Sequence, residues 1–491
     1  MDYISTRGNA PRVSSSEAIR NGLAPDGGLY VPEVVPTLTP DDFATLQTLS
    51  YPERSAFILS RFLTDYTYEE LLTASREAYA ESSFGFTPAP VVRLDDTRFV
   101  LELWHGPTCA FKDMALQIMP RLLSLAVRKN KENKQILILV ATSGDTGKAA
   151  LEGYKDVDGV KILVFYPEDG VSDIQKLQMT SQTGSNVCVC AIRGNFDNAQ
   201  SGVKAIFSDS AIAKELSEKG YLLSSANSIN WGRLAPQIVY YLSAYCDLLS
   251  SGAIRQGEPI RISVPTGNFG DILAAYYAMK MGLPAEKLIC ASNSNHVLTD
   301  FLQTGTYDRN RAFHTTMSPS MDILISSNLE RLLFMLQGPE KTAICMNELA
   351  ETGRYAVSSD VKEQLDRIFE GQFATEEETA ETIRKTFEND RYLCDPHTAV
   401  GLRAAEKAQG NGKVLTVSTA SPYKFSADVL HSLTGEAPSG DFFAVIDRLE
   451  ELSGTPAPAP ILALRNASRR FTASAGRTKD EMWKEVKNFL F

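Results

Sequence analysis

Six short apolar runs in the middle of the chain constrain its fold more than any other feature. They are continuous rather than alternating, and segments long enough to form a helix separate each run from the next. Continuous apolar strands are typical of a parallel sheet that helices cover on both faces. The pattern therefore predicts an α/β fold with open, twisted, mostly parallel sheets. The runs are residues 136–141, 161–166, 187–192, 221–224, 261–265 and 287–291.

The regions on either side of this alternation have a different character. Residues 1–90 contain turn-rich stretches and helical patterns, which predict a small α-rich N-terminal unit, and the Pro-containing segment 86–90 predicts a linker after it. Residues 322–392 are predicted to be mostly helical, followed by a strand at 413–417 and a closing helix at 479–490. A chain of 491 residues is expected to contain several domains, because one domain holds roughly 100 to 200 residues.

The composition excludes several classes of function. The chain has 49 Lys and Arg against 60 Asp and Glu, and a net charge of −11 opposes a nucleic acid or an anionic membrane as main partner. Any anionic ligand must then be bound by a local group of positive charges. Seven cysteines are too sparse for a disulfide framework, and no apolar run approaches the ~18 residues of a membrane-spanning helix. Because the N-terminus also lacks a signal pattern, we expect a cytoplasmic protein.

Two phrases have the form of an anion-binding loop between a strand and a helix. In VPTGNFGD, residues 264–271, two glycines let backbone N–H groups turn inward at the positive end of the next helix. TSGDTGK, residues 142–148, follows a strand in the same way, but only two residues separate its first Gly from the Gly-Lys pair, unlike a nucleotide P-loop. Two such loops predict two anions, or a phosphorylated cofactor beside an anionic substrate. An ordinary strand-to-helix turn is the alternative for each.

Lys112 is the candidate nucleophile. It lies among small and aromatic residues in WHGPTCAFKDM, residues 104–114, where a helix is expected to begin. A partly desolvated lysine near the positive end of a helix has a lowered pKa, as an amine nucleophile requires. A lysine that points into solvent is the alternative. Other chemistries lack support, because Cys188 and Cys190 have no second pair of zinc ligands and the chain has no G-x-S-x-G phrase.

Together with several others, these phrases resemble the threonine synthase family, pyridoxal-phosphate enzymes of the tryptophan-synthase-β structural class, also called fold type II. The matches follow the order of the family through nearly the whole chain. The openings YISTRG and PDGGLYVPE, at 3–8 and 25–33, look like the family's N-terminal unit. The other matching phrases are HGPTCAFKDM at 105–114, SGDTG at 143–147, NSINWGR at 227–233, PTGNFGD at 265–271, SPSMDI at 318–323, DPHTAVG at 395–401 and STASPYKF at 418–425.

The resemblance implies roles for individual residues. Lys112 matches the lysine that forms a Schiff base with pyridoxal 5′-phosphate, and Asp145 falls where related enzymes place a polar side chain near the 3-hydroxyl of the cofactor. The residues implied to hold the cofactor phosphate are Gly267, Asn268, Phe269, Gly270 and Asp271. Those implied to be hydroxyl partners of the pyridine nitrogen are Ser418 and Thr419. Those implied to bind the substrate phosphate are Ser143, Thr146, Asn227, Ser228, Asn230 and Arg233.

The resemblance also implies an architecture and a reaction. Residues 91–491 would form a catalytic region of two α/β domains, the smaller at roughly 140–245, with a helical insertion at about 322–392. The reaction would convert O-phospho-L-homoserine and water to L-threonine and phosphate, with a lysine moving protons between adjacent carbons. Cys109 and Ser421 depart from the family pattern, which puts local packing in doubt rather than the reaction.

Two other functions stay open. A serine or threonine dehydratase would use an equivalent lysine and glycine loop, but it has no need of the second phosphate site at 143–147 and 227–233. A regulatory scaffold that has lost its chemistry would have no need to retain Lys112. The sequence implies no metal, and it leaves a monomer and a homodimer as alternatives.

Overall fold

Two large sheets organise the structure, a computed structural model that describes residues 1–142, 144–168 and 171–491. None of the helices within these ranges has the length and apolar character that crossing a membrane requires. In chain order, the strands are β1 Tyr3–Ser5, β2 Tyr30–Pro32, β3 Val91–Arg93, β4 Arg98–Glu102, β5 Gln135–Ala141, β6 Val160–Pro167, β7 Val187–Ile192, β8 Tyr221–Ser224, β9 Ile260–Pro265, β10 Ala285–Ser292, β11 Thr306–Asp308, β12 Arg354–Ala356, β13 Phe369–Phe373, β14 Val414–Ser418 and β15 Ser474–Ala475.

Helices of very different length pack on the sheets and between them. The longest, α15, changes direction at Gly338, whose backbone is not helical. The helices are α1 Ser15–Asn21, α2 Pro40–Thr48, α3 Tyr51–Phe62, α4 Tyr68–Ala78, α5 Glu81–Phe84, α6 Asp113–Leu116, α7 Met119–Lys129, α8 Asp145–Tyr154, α9 Asp173–Thr180, α10 Phe196–Phe207, α11 Ser210–Glu218, α12 Trp231–Ser250, α13 Gly270–Lys280, α14 Val297–Thr304, α15 Leu329–Thr352, α16 Ser359–Ile368, α17 Glu376–Asp390, α18 Pro396–Lys407, α19 Ser426–Thr434, α20 Phe442–Ser453, α21 Ala459–Leu462 and α22 Lys479–Leu490.

The larger sheet has the strand order β13-β10-β9-β14-β4-β3. All neighbours are parallel except β3 and β4, which are antiparallel. The smaller sheet has the order β15-β7-β6-β5-β8 and is parallel throughout its described strands. Each of the six predicted central runs forms a strand within two residues of its expected ends. The prediction of an α/β fold with mostly parallel sheets is confirmed.

The N-terminal unit packs on the catalytic region through α12. This helix is buried along nearly its whole length and contacts α2, α3 and α13. Trp231, its first residue, is surrounded edge-on by Tyr3, Phe62 and Tyr277, with ring centroids between 5.3 and 5.6 Å away. Edge-to-face pairs at this spacing are favourable beyond their buried area. The aromatic cluster therefore joins residues 3 and 62 to the helix that begins within the phrase NSINWGR.

The stretch 322–392 differs from the helical insertion expected from the sequence. It contains α15, α16 and α17, but also β12 and β13, and β13 is an edge strand of the larger sheet. The sequence of β13, FEGQF, has a glycine and two polar residues and no apolar run, so periodicity could not identify it. The domain boundaries given above remain a prediction.

Substitution of Gly153 tests the close contact between α8 and α6. A β-carbon at Gly153 in α8 would lie 1.8 Å from the carbonyl oxygen of Leu116 in α6. Since a backbone carbonyl cannot move aside cheaply, Gly153→Ala should destabilise the protein by about 1 to 3 kcal/mol, measured by denaturant unfolding. Gly202→Ala is the matched control, because its new methyl group would meet only the flexible end of Met482. An equal loss in both variants would contradict this reading.

Candidate active site

A buried turn presents Lys112 at the start of α6. The backbone N–H and hydroxyl of Thr108 donate to the carboxyl group of Asp113 at 2.8 and 2.7 Å, which closes the turn. Cys109, inside this turn, has a left-handed backbone with φ of 58°. Burial raises the pKa of Asp113 to about 6. The turn is held by a carboxyl group that the sequence analysis did not single out.

The side chain of Lys112 is enclosed as the sequence predicts. It is 9% exposed, and its Nζ lies 3.3 Å from Ser320 Oγ and 3.7 Å from Asp145 Oδ2. Burial lowers the pKa of Lys112, the carboxylate of Asp145 opposes that change, and the positive charge of Arg233 adds to it. A lowered pKa increases the fraction of neutral amine, which is the nucleophilic form. The solvent-exposed alternative for Lys112 is therefore wrong.

A second buried lysine shares the carboxylate of Asp145. Lys424 Nζ lies 2.8 Å from Asp145 Oδ1 and donates to the carbonyl oxygen of Thr108 at 2.9 Å. Burial tends to raise the pKa of Asp145, but Lys424 and Lys112 outweigh burial and hold that pKa well below its usual range. Lys424 belongs to the phrase STASPYKF, and no role for it was predicted from the sequence.

The loop at 267–271 has the geometry of an anion site. It joins β9 to α13, and Phe269 has a left-handed backbone with φ of 63°. Among the described residues, the backbone N–H groups of 267–271 have no hydrogen-bond partner. The backbone carbonyl oxygen of Asn268 accepts hydrogen bonds from the backbone N–H and the side-chain Nδ2 of Asn328 at 3.1 and 3.2 Å. The free donors therefore lie at the start of a helix, where a phosphate binds well.

Asp271 has a different environment from the rest of this loop. Its Oδ1 accepts hydrogen bonds from Tyr240 and Tyr241 of α12, the latter at 2.6 Å. Its Oδ2 is buried and has no partner among the described residues. Burial raises the pKa of Asp271 to about 6. The side chain of Asp271 therefore connects the loop to α12.

The two candidate hydroxyl groups at the end of β14 are not equivalent. Ser418 Oγ lies 2.9 Å from both Trp104 Nε1 and Thr398 Oγ1. The hydroxyl of Thr419 has no partner within the described part of the chain, whereas its carbonyl accepts from Phe111 N at 2.8 Å. Thr419 is thus the hydroxyl available to a ligand, and its backbone fixes the residue before Lys112.

Asp395 and His397 form a buried pair that supports both sides of this region. His397 Nδ1 lies 2.6 Å from Asp395, and His397 Nε2 accepts from the backbone N–H of Ser320 at 3.1 Å. Asp395 also accepts from Thr398. The pair orients Ser320 beside Lys112 and Thr398 beside Ser418, so its role is structural.

The predicted substrate residues lie together only in part. Ser143 lies outside the described residues, and Thr146, Asn227 and Ser228 are half-buried. Ser228 lies close to Gly270, since a β-carbon built on that glycine would be 3.8 Å from Ser228 Cβ. The phrase NSINWGR therefore reaches the loop at 267–271 through Ser228.

The contacts of Asn230 do not support the prediction that it binds the substrate phosphate. Its Oδ1 accepts from Gly232 N at 2.9 Å and its Nδ2 donates to Ile19 O at 2.9 Å. The side chain is fully buried and caps α12 while tying that helix to α1. Because both amide atoms already have protein partners, Asn230 is a structural cap rather than a phosphate ligand.

Arg233 is a buried cation. It is 5% exposed, and its Nη1 donates to Ala226 O at 2.9 Å. No carboxylate lies within ion-pair distance of Arg233 among the described residues. Burial lowers the pKa of Arg233 to about 10. A buried guanidinium without a protein anion is costly, which indicates a site for an anionic ligand.

These groups fit a phosphorylated carbonyl compound. Lys112 offers a nucleophilic amine, and the unpaired N–H groups at 267–271 offer a phosphate site. A family model described as pyridoxal-phosphate-dependent enzyme matches residues 83–420, and another described as threonine synthase N terminus matches residues 2–79. The fold and the site thus define a pyridoxal-phosphate-dependent enzyme of fold type II.

Comparisons with individual proteins define the family. Threonine synthase of Pseudomonas aeruginosa is 40% identical over 450 residues, which cover 89% of this chain and 92% of that protein. Human threonine synthase-like 1 is 41% identical over 452 residues, or 88% of this chain and 60% of that longer protein. A crystal structure of pyridoxal-phosphate-bound threonine synthase from Brucella melitensis superposes with a TM-score of 0.88 at 37% identity, covering 100% of this chain and 99% of that one. The chain belongs to the threonine synthase family.

Gly267 gives a prediction for the cofactor loop. A β-carbon at Gly267 would lie 2.6 Å from the carbonyl oxygen of Ser320. Gly267→Ala should therefore displace the loop and raise the dissociation constant for pyridoxal phosphate by about tenfold or more, measured by titrating cofactor-free protein. Gly270→Ala, whose methyl group would meet no atom closer than 3.4 Å, should cause a much smaller loss. Equal cofactor affinity in the two variants would contradict the prediction.

Asp271 gives a prediction about pH. The raised pKa means that Asp271 contributes its full stability only while it is neutral. This contribution is lost as pH rises from the ordinary aspartate pKa through about 6. Asp271→Asn should therefore gain stability relative to the wild type as pH rises from about 4 to about 6, with little further change above that range, measured by thermal unfolding of cofactor-free protein. The contribution of Asp113 cancels in this comparison. Asp145→Asn is the control and should lose stability at neutral pH, since Lys424 favours the ionised form. A pH-independent difference between Asp271→Asn and wild type would refute the assignment.

Proposed function

We propose that this protein is a threonine synthase that converts O-phospho-L-homoserine and water to L-threonine and phosphate. The proposal rests on the buried Arg233, which has no carboxylate partner among the described residues. The positive charge of Arg233 also lowers the pKa of Lys112, so the two side chains interact electrostatically. Within the described ranges, Arg233 has a single protein acceptor, Ala226 O, so most of its donors remain available to an anionic group of the substrate.

The proposed cofactor site uses groups that follow strands of both large sheets. We propose that Lys112 binds pyridoxal phosphate covalently, that the N–H groups of 267–271 hold its phosphate, and that Thr419 is the nearer hydroxyl partner of its pyridine nitrogen. When bound, the cofactor withdraws electrons from the substrate and makes its α- and β-protons acidic. Asp145 is retained as a polar group near the 3-hydroxyl, and its pairing with Lys424 keeps it ionised.

The residues of this chain would then move protons and hold the leaving group. Once released from the cofactor, Lys112 is a buried amine with a lowered pKa, suited to accept a proton from one carbon and return it to the adjacent one. Arg233, with Thr146, Asn227 and Ser228, would bind the γ-phosphate and stabilise it as it departs. Ser143 is retained in this set from the sequence alone. Exclusion of water strengthens each of these charge interactions.

Arg233 and Lys112 argue against the two competing functions. A dehydratase acting on serine or threonine would offer Arg233 no substrate phosphate. A scaffold without chemistry would gain nothing from the lowered pKa of Lys112, which is costly to bury. We further propose a cytoplasmic location, supported by the sparse cysteines and the net charge of −11, and we leave monomer and homodimer as alternatives.

Removal of the Arg233 side chain tests the proposal. Arg233→Ala should lower kcat/KM for O-phosphohomoserine by about 30-fold or more, because losing one partner of a buried charge pair costs roughly 2 to 5 kcal/mol. Threonine and inorganic phosphate should both be measured. The absorbance of the bound cofactor and the slow turnover of serine should change little.

Lys112→Ala is the control and should abolish both activities. Equal losses on phosphorylated and unphosphorylated substrates in Arg233→Ala would show that the arginine does not bind the substrate phosphate. Failure of the wild-type enzyme to form threonine from O-phosphohomoserine would overturn the proposed function.

A further inference from the structure

A single buried guanidinium connects the N-terminal unit to the loop at 226–230, which contains two of the proposed substrate residues, and to the predicted cofactor-phosphate loop. Arg331 lies in the first turn of α15 and is completely buried. Its Nε donates to Tyr30 O of β2 at 3.1 Å, and its Nη2 donates to Ile229 O at 2.6 Å. Its Nη1 donates to Ser228 O at 3.4 Å and to the side chain of Asn328. Every one of these acceptors is neutral, so the contacts are directional links rather than ion pairs.

Asn328 extends the connection to the cofactor loop. Its side-chain oxygen accepts from Arg331, while its backbone N–H and its Nδ2 both donate to Asn268 O. The side chain of Asn328 thus links Arg331 to the loop whose N–H groups have no hydrogen-bond partner among the described residues. The neighbouring Ser326 adds a hydrogen bond to Gly267 O at 2.9 Å. The carbonyl side of the loop is therefore held from the start of α15.

The residue before Arg331 fixes the same turn to the beginning of the chain. Glu330 accepts from the hydroxyl of Thr6 at 2.7 Å and from Arg7 at 3.0 and 3.2 Å. The Thr6 contact is buried, and Glu330 is 6% exposed. Residues 6, 7 and 30 therefore enclose the first turn of α15, and Arg331 cannot shift without disturbing β2.

We propose that Arg331 is a positioning residue that holds the substrate-phosphate loop at 226–230 and the cofactor-phosphate loop at 266–270 at a fixed separation, with β2 of the N-terminal unit as the support. The functional part of this inference rests on the proposed function, because that function assigns a phosphate to each loop. The structural part does not depend on it. A planar guanidinium reaches four acceptors in three directions, whereas a lysine ammonium on a flexible stem cannot.

The test compares Arg331→Lys with Arg54→Lys. Arg54 is a matched control, since it is also buried and also joins the N-terminal unit to the catalytic region, through Leu46 O, Ser243 and Asp247. It contacts neither loop. Amide hydrogen exchange of the cofactor-free proteins should rise in Arg331→Lys at Asn230 and Asn328, whose backbone N–H groups donate to Asn227 O and Asn268 O and so report on the two loops. Arg54→Lys should retain wild-type exchange at both residues even if its unfolding temperature falls equally.

In the loaded enzymes, Arg331→Lys should weaken pyridoxal phosphate binding and lower kcat/KM by about tenfold or more each, while Arg54→Lys stays within about twofold of the wild type. Wild-type exchange at Asn230 and Asn328 in Arg331→Lys, or an equal rise in Arg54→Lys, would overturn the proposal. If the wild-type enzyme does not act on O-phosphohomoserine, the proposed function fails and the exchange comparison alone decides the role of Arg331.

Asn328→Ala keeps the test decisive if Arg331→Lys does not fold. This variant removes the side-chain link between Arg331 and Asn268 O but keeps the backbone N–H of residue 328. Exchange should rise at residue 328 and cofactor affinity should fall, with exchange at Asn230 close to the wild type. Unchanged exchange at residue 328 would show that Arg331 does not act on the cofactor loop.

Discussion

Positive charge buried with too few protein anions is the constraint on which the site depends. Lys112, Lys424 and Arg233 are each less than a tenth exposed, and Asp145 is the carboxylate that approaches both lysines within ion-pair distance among the described residues. An ion buried without a partner costs several kcal/mol. The net charge of −11 does not relieve this cost, because most of the acidic groups lie at the surface. The local imbalance is what suits the site to phosphate groups.

The two sheets explain how these charges meet. Thr419 and Lys424 follow β14 of the larger sheet, and Lys112 lies in the turn after β4, its neighbour in that sheet. Asp145 begins α8, directly after β5 of the smaller sheet. Ligands of open parallel sheets bind beyond the carboxyl ends of the strands, and a site between two such sheets receives groups from both. The close contact of Gly153 with Leu116 brings α8 and α6 together at this point.

Local patterns predicted what depends on local physics. Continuous apolar runs predicted the central strands, and a strand end followed by glycines predicted the loop at 267–271. The burial of Lys112 followed from its small and aromatic neighbours. By contrast, β13 has no apolar run and forms only because β10 offers it an edge. No sequence pattern identified Lys424, Arg331 or Asn328. Their roles depend on partners more than a hundred residues away, or on backbone carbonyl groups whose positions a sequence pattern does not give. Asn230 matched a family motif, yet only its partners in space show that it is a cap.

Three buried carboxyl groups near Lys112 show how the imbalance of charge is maintained. Lys424 and Lys112 hold Asp145 ionised, whereas burial raises the pKa of Asp113 and of Asp271 to about 6. Asp113 receives only neutral donors from Thr108, and Asp271 only neutral donors from two tyrosines. A phosphate bound at the loop that contains Asp271 would raise its pKa further, since like charges disfavour ionisation. An anion at this loop therefore favours the neutral form of Asp271, so the carboxyl group can lie beside a phosphate without cancelling the positive charge that binds it.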